Sequence, residues 1–270
     1  MSLHSGISGQ GRSELSKVLG SGGRFITPSD VSDALDLDAD AAARRLARWA
    51  KDGWVRRVRR GLYIGVPVDA ANPMGWTEDA ELVADAVWSP CYFTGWTAAH
   101  HWSLTDQVFR TTVLKSERRV RNSKDTLLDH EYLVSHTSLD SLTWGMRSEW
   151  RDNDRLRFAD PARTIVDLLD MPKLGGGIRN VADIVSTYLD DNDPTLLVDY
   201  GDRLGNRAIF KRLGYLAEIF APSHVQLVDA CRARVSKGIS PLDPDGPSGG
   251  RRAMRWALRI NVTLKDEGPS

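Results

Sequence analysis

Hydrophobic residues recur every three to four positions near the start of the chain, which is the period of an amphipathic helix. This period predicts two short helices, over 28–35 and 39–51. Thr27 and Asp38 are suited to cap their N-termini, and Gly53 is suited to end the second helix in a left-handed conformation. Only a short turn separates the two helices, so the segment is predicted to form a helix-turn-helix.

After the second helix the hydrophobic period changes to two, which is typical of strands. Residues 54–58 and 62–64 are predicted to be strands, and the turn between them consists of Arg59, Arg60 and Gly61. Two helices followed by a β-hairpin is the element order of a winged helix-turn-helix. We therefore predict a winged helix-turn-helix DNA-binding domain over 1–66.

The rest of the chain alternates less regularly. Helical segments are predicted at 77–87 and 95–102, and strand composition follows at 108–115, 132–137 and 156–158. A helical half follows, with helices predicted at 161–170, 178–189, 194–204, 207–220 and 223–234. We expect a larger mixed α/β domain over 67–270 that ends in a helical bundle, so the fold class is α+β. A Pro/Gly-rich stretch near 240–251 is expected to be mobile, and 253–263 to form a last strand.

Composition limits the class of protein. The 270 residues include 36 basic and 36 acidic side chains, and 41% are hydrophobic, which is an ordinary globular composition. The two cysteines, Cys91 and Cys231, are far apart in the sequence, so a disulfide framework or a zinc ribbon is excluded. No apolar run is long enough for a membrane span, and the N-terminus lacks the apolar segment of a signal peptide. We expect a soluble, cytoplasmic protein with no membrane partner.

Positive charge is concentrated in one short segment. Residues 44–60 contain eight basic side chains and a single acid, Asp52, although the whole chain is neutral. The segment coincides with the predicted second helix and wing, so a solvated charged face of mixed sign is the weaker explanation. Helix arginines can enter the major groove, and wing arginines can contact the backbone or the minor groove. The predicted DNA-binding residues are Arg44, Arg45, Arg48, Lys51, Arg56, Arg57, Arg59 and Arg60.

Two further basic groups are candidates for a second basic surface, which would contact DNA flanks, RNA or another protein. The alternative for both is an exposed, solvated segment without a partner. The first group lies in a predicted loop and the second on the penultimate helices. Their residues are Lys115, Arg118, Arg119, Arg121 and Lys124, and Arg203, Arg207, Lys211 and Arg212.

No set of residues indicates catalysis or metal binding. The adjacent pair His100 and His101 lacks further ligands at useful spacing, so core or capping roles are expected. Asp160 is suited to cap a helix, and Arg163 and Asp167 are four residues apart, as in a helical ion pair. The glycine clusters lack the lysine of a phosphate-binding loop. We therefore expect no enzyme activity, no cofactor and no metal.

Four segments resemble AbiEi-type antitoxins of bacterial type IV toxin–antitoxin systems. They are the region from Phe25 that ends in RRVRRGLYIG, then FTGWTAAHHWSLTDQ at 93–107, FADPARTIVDLLDMPKLGGGI at 158–178 and KRLGYLAEIF at 211–220. They occur in the family's order.

The resemblance implies a DNA-binding antitoxin that represses its own operon at inverted repeats in the promoter. It also implies that the C-terminal part counteracts a nucleotidyltransferase-like toxin, AbiEii, with or without direct binding. The partners would be double-stranded operator DNA and the cognate toxin. The alternative is a stand-alone transcriptional repressor whose C-terminal domain senses a small molecule.

Overall fold

The computed structural model describes residues 9–67, 70, 72 and 75–264. The chain divides into two compact units. The first extends to Val87 and includes Thr126–His130, and the second comprises Trp88–Asp125 and the chain from Glu131 onward. Within the described ranges, no helix is both long and apolar enough to cross a membrane.

The first unit contains a winged helix-turn-helix, as the sequence predicts. Its helices are α1 (Gly9–Gly22), α2 (Pro28–Leu35) and α3 (Ala39–Lys51), and α4 (Ala80–Trp88) ends at its boundary. Its strands are β1 (Phe25–Ile26), β2 (Val55–Arg59) and β3 (Leu62–Gly65). They form an antiparallel sheet in the order β1-β3-β2. The sequence analysis did not predict β1, because a two-residue strand carries no periodic signal.

Local capping explains why α2 and α3 begin where the sequence predicts. The Thr27 hydroxyl accepts a hydrogen bond from the Asp30 backbone N–H at 3.3 Å, and the Thr27 N–H donates to the Asp30 carboxylate at 2.7 Å. This is a reciprocal capping box. Asp38 accepts from the Ala41 N–H at 2.7 Å and caps α3. The two helices then bury Val31, Leu46 and Trp49 in one apolar core.

Most of a mixed six-stranded sheet with the order β6-β7-β5-β4-β9-β8 belongs to the second unit, and only its residues within Thr126–His130 belong to the first. The strands are β4 (Cys91–Phe93), β5 (Thr111–Ser116), β6 (Lys124–Leu127), β7 (His130–His136), β8 (Met146–Arg151) and β9 (Asp154–Ala159). Strand β4 is antiparallel to β5 and parallel to β9, and β5 is parallel to β7. The α+β fold class is confirmed.

Six helices accompany this sheet in the part of the second unit that the structure describes. They are α5 (Gly95–His101), α6 (Pro161–Asp170), α7 (Ile178–Asp191), α8 (Thr195–Leu204), α9 (Ala208–Phe220) and α10 (Val225–Arg232). Helix α6 is buried on nearly every side, which marks it as the centre of the core. Ile165 and Leu168 of α6 pack in the same apolar cluster as Val185 of α7 and Leu213 of α9.

The C-terminal part differs from the sequence prediction. In place of one strand over 253–263 there is a small sheet of β10 (Ser240–Pro241), β11 (Arg251–Ala253) and β12 (Leu258–Ile260), with a 3₁₀ turn between β11 and β12. Within the stretch 240–251 that was expected to be mobile, Leu242 and Asp243 are buried. The Asp243 carboxylate accepts from the Ile178 N–H at 2.9 Å and so holds the start of α7.

A buried polar network joins α6 to the sheet. Asp167 is completely buried, and one of its oxygens accepts from Tyr92 Oη at 2.9 Å and from Thr94 Oγ1 at 2.8 Å. The other accepts from Lys115 Nζ at 2.9 Å and from Arg163 Nε at 3.1 Å. Burial alone would raise the pKa of the Asp167 carboxyl, but the two neighbouring cations outweigh burial and lower the pKa.

The network predicts a large stability cost for Asp167→Asn, because two buried cations would lose their counter-charge. We expect the free energy of unfolding at pH 7 to fall by about 3–5 kcal/mol. The folded-state pKa is below the usual 3.8. The contribution is therefore present above that pH and is lost as the pH falls through the folded pKa. Urea unfolding of both proteins across this pH range measures the difference.

The matched control is Asp170→Asn on the same helix. Asp170 lies farther from Lys115 Nζ than Asp167 does, at 3.9 Å, and it is partly exposed. Removal of its charge is therefore expected to lower the free energy of unfolding much less. Equal costs for the two substitutions, or a difference that persists in acid, would contradict the role given to Asp167.

Candidate nucleic-acid interface

Helix α3 separates its apolar and basic residues onto two sides. Ala42, Leu46 and Trp49 are buried in the core of the first unit. Arg44, Arg48 and Lys51 are exposed, and Arg48 lies 3.9 Å from Asp52, so that ion pair is loose. Three of the four basic residues predicted on this helix are therefore available to a ligand.

Two small residues lie among these cations. Ala43 and Ala47 are exposed and four positions apart, so they share one side of α3. Alanine methyl groups let a helix approach base edges closely and can contact the thymine methyl group. The sequence analysis did not single them out, although the same helical period that exposes Arg44 and Arg48 also exposes them.

Arg45 occupies a different environment from its neighbours. Its guanidinium forms an ion pair with Glu14 of α1, and its side chain is only partly exposed. The structure thus places Arg45 against α1 and not on the exposed side of α3. Sequence reasoning missed this because the partner lies about thirty positions earlier on a separate helix.

The wing presents a second exposed basic group. Arg57, Arg59 and Arg60 are exposed at the end of the β2–β3 hairpin. The pairing shifts there, since Arg57 lies opposite Tyr63 and Arg59 opposite Leu62, which leaves one extra residue in β2. Such a bulge changes the direction in which side chains point.

Arg56 has a structural role that the sequence analysis did not foresee. Its guanidinium donates to the Trp76 carbonyl and lies 3.2 Å from the Asp129 carboxylate, so 17% of the side chain remains exposed. These contacts tie the base of the wing to other parts of the first unit. Arg56 is therefore less available to DNA than the other wing arginines.

The first candidate group of the second basic surface is only partly on the surface. Arg118, Arg119, Arg121 and Lys124 are exposed around the connection between β5 and β6. Lys115 is buried, and its ammonium contacts Asp167 in the network described above. Its assignment to a basic surface is wrong, because β5 is an interior strand of the sheet whose residues Thr112–Ser116 are all buried, and Asp167 supplies the counter-charge inside the fold.

The second candidate group also divides. Lys211 and Arg212 are buried, and Arg212 donates to the Leu242 carbonyl at 3.0 Å and to the Leu169 carbonyl at 2.7 Å. Arg203 and Arg207 are exposed, and Arg207 forms an ion pair with Asp202 at 2.6 Å. A continuous basic stripe does not form among these four residues, since half of them hold carbonyl groups inside the fold.

The described residues contain no cluster of three or more histidine, cysteine or acidic side chains that could hold a metal ion. His101 stacks on Phe158 with a ring separation of 4.2 Å, and burial lowers the pKa of its imidazole. His100 is exposed. His100 therefore has no core role, and the capping role that was the alternative for the pair stays a prediction.

Comparison with known proteins bears on the first unit directly. Residues 13–64 match the model of the family described as "Transcriptional regulator, AbiEi antitoxin". The resemblance is thereby confirmed for the N-terminal region, which includes most of α1 and the winged helix-turn-helix. The segments at 93–107, 158–178 and 211–220 lie outside the match, and their resemblance stays a prediction.

The whole fold has a counterpart among solved structures. The crystal structure of the RV2827C protein from Mycobacterium tuberculosis superposes with a TM-score of 0.63 over 92% of this chain and 90% of that chain. The two sequences are 14% identical, so the likeness concerns the fold alone. A comparison with curated proteins gives no match.

The Arg45 environment predicts that this residue supports the fold of the first unit. Arg45→Ala and Glu14→Ala should each lower the free energy of unfolding by up to about 1 kcal/mol, because each removes the same ion pair. The double variant should be no less stable than either single one. Arg44→Ala, one position away and exposed, is the control and should leave stability unchanged. Additive losses in urea unfolding would show that the two side chains do not interact.

Proposed function

We propose that this protein is a DNA-binding antitoxin that represses its own operon and counteracts a nucleotidyltransferase-like AbiEii toxin. The observation that carries the proposal is the exposed basic group on the winged helix-turn-helix, within the region that matches the antitoxin regulator family. The group consists of Arg44, Arg48, Lys51, Arg57, Arg59 and Arg60. Such a role places the protein in the cytoplasm and involves no catalysis of its own.

In the proposed complex, α3 enters the major groove of the operator. The guanidinium groups of Arg44 and Arg48 can bind guanine O6 and N7 in a bidentate manner or hold phosphates. Ala43 and Ala47 let the helix backbone approach the bases. The wing arginines contact the backbone or minor groove, and two or more copies occupy inverted repeats about one helical turn apart.

The antitoxin activity is assigned to the rest of the chain. We propose that residues 1–66 bind DNA and that residues 67–270 counteract the toxin. The support is the match of residues 13–64 to a regulator family, which leaves the large second unit for another task. Arg118, Arg119, Arg121 and Lys124 remain exposed and are candidates for contacts made in that task.

One feature favours the alternative of a stand-alone repressor with a ligand-sensing second unit. A groove of about 580 Å³ lies beside the N-termini of α8 and α10, in the size range of small-molecule sites. Its lining includes Asp193, Val198, His224 and Leu227. Two observations together would favour this alternative. One is a metabolite that raises the melting temperature of the protein and releases it from DNA, and the other is the absence of a toxin for the protein to counteract.

The first prediction from the proposal concerns the promoter upstream of the protein's own operon. Arg44→Ala/Arg48→Ala should weaken specific binding by about 1–3 kcal/mol for each bidentate arginine–base contact that is removed. The double variant should also discriminate less well between the promoter and unrelated DNA. Arg45→Ala is the matched control, because it removes a charge from the same helix but on the side that faces α1. Electrophoretic mobility shift at fixed salt measures both. Wild-type affinity in the double variant, or an equal loss in the control, would contradict the proposed interface.

The second prediction separates the two activities in the full-length chain. Co-expression of the neighbouring toxin gene should arrest growth, and the wild-type protein should restore it. Arg44→Ala/Arg48→Ala should restore growth equally well but fail to repress a promoter fusion, since the residues lie in the DNA-binding part only. If the neighbouring gene is harmless, or no variant restores growth, the antitoxin role is wrong and the stand-alone repressor is favoured.

A further inference from the structure

A second concentration of positive charge lies near the C-terminal end of the chain. Residues 246–265 contain four arginines and one lysine and no acidic residue, in a protein whose formal net charge is zero. The arginines are Arg251, Arg252, Arg255 and Arg259, and they belong to β11, β12 and the turn between them. We call β11, β12 and this turn the C-terminal ribbon.

The strand pairing of the ribbon brings like charges together. Arg252 lies directly opposite Arg259 in the antiparallel register. Like charges opposite each other across a strand pair are destabilising. Strand β11 is one of the two edge strands of its sheet, and both Arg251 and Arg252 on it are exposed. Stability of the fold therefore does not explain why these arginines occupy adjacent positions.

The ribbon is nevertheless held firmly in place. Trp256 in its turn is buried, and its Nε1 donates to the Glu218 carboxylate of α9 at 2.6 Å. The indole lies so close to α9 that a Cβ on Gly214 would overlap the ring. At the start of β11, a Cβ on Gly250 would likewise overlap the Ile260 carbonyl oxygen. Close packing fixes the backbone that carries the arginines, so they are presented on a rigid support.

Two of the four arginines of the C-terminal ribbon bind a neighbouring carboxylate or carbonyl group. Arg255 pairs with Glu218 at 3.1 Å, and Arg259 donates to the Ser248 carbonyl at 2.7 Å. For Arg251 and Arg252, no ion pair with a carboxylate is seen among residues 9–67, 70, 72 and 75–264. Two exposed guanidinium groups on an edge strand match the phosphates of a nucleic-acid backbone in charge and as hydrogen-bond donors.

We propose that Arg251 and Arg252 bind phosphates of the same DNA duplex that the winged helix-turn-helix recognises. This inference rests on the proposed function, since it takes the DNA from that function. Because both units belong to one chain, binding of the first unit raises the effective concentration of the duplex for the second unit. Duplex DNA is thus favoured over a separate RNA or an acidic protein, each of which would have to bind without that advantage.

The test is the salt dependence of duplex binding by the full-length chain. Each phosphate contact contributes about 0.9 to the slope of log affinity against log salt, so Arg251→Ala/Arg252→Ala should lower the slope by about 2. Preference for promoter over unrelated sequence should not change, because phosphate contacts carry no sequence information. Arg155→Ala/Arg232→Ala is the control, as it removes two exposed arginines from β9 and α10. Thermal unfolding should show no loss of stability in either variant.

The outcomes separate this inference from the proposed function. An unchanged slope in Arg251→Ala/Arg252→Ala, or an equal fall in the control, would overturn the inference while leaving operator binding intact. If the wild type shows no preference for its promoter but the ribbon variant still lowers the slope on unrelated duplex, the inference stands and the proposed operator role fails. Loss of binding to a structured RNA with an unchanged DNA slope would assign the ribbon to RNA and overturn the inference.

Discussion

The ionised Asp167 side chain at the centre of the second unit is the constraint on which the packing there depends. It connects Tyr92 and Thr94 around β4, Lys115 of β5 and Arg163 of α6, and all five of these side chains are buried. Removal of one member from a buried ion pair leaves an uncompensated charge, which is far more costly than the pair itself is stabilising. The network therefore fixes the position of α6 on the sheet. The position of α6 in turn determines where the helices that pack on it lie.

The sequence predicted those parts of the fold that local chemistry determines. The bounds of α2, α3 and α6 agree with prediction because Thr27, Asp38 and Asp160 cap the three helices through contacts only a few residues away. The Arg163–Asp167 ion pair was also predicted from its spacing. Its burial was not, because it depends on Lys115, which is 52 positions away in the sequence. Contacts over that distance follow from the sheet order, which no local pattern encodes.

The same distinction explains the errors in the candidate site. Arg44, Arg45 and Arg56 look alike in the sequence, since all three belong to one basic run. The structure separates them through partners outside the run: Glu14 of α1 engages Arg45, and Asp129 engages Arg56. Lys115 shows the same effect more strongly, as its ammonium lies inside the fold. A basic residue can be assigned to a nucleic-acid contact only after it is known whether a carboxylate or carbonyl group of the fold already binds it.

Overall neutrality gives the remaining exposed cations a particular importance. A chain with equal numbers of acidic and basic residues exerts little attraction on DNA beyond the Debye length, which is about 8 Å at physiological salt. Attraction must then arise at close range, from local concentrations of exposed positive charge. The exposed side of α3, the wing and β11 are such places, and each is held by a well-packed core or by close backbone contacts. In a neutral protein with rigid, local cationic surfaces, affinity for DNA therefore comes chiefly from contacts made at close range, and only those contacts that reach base edges distinguish one sequence from another.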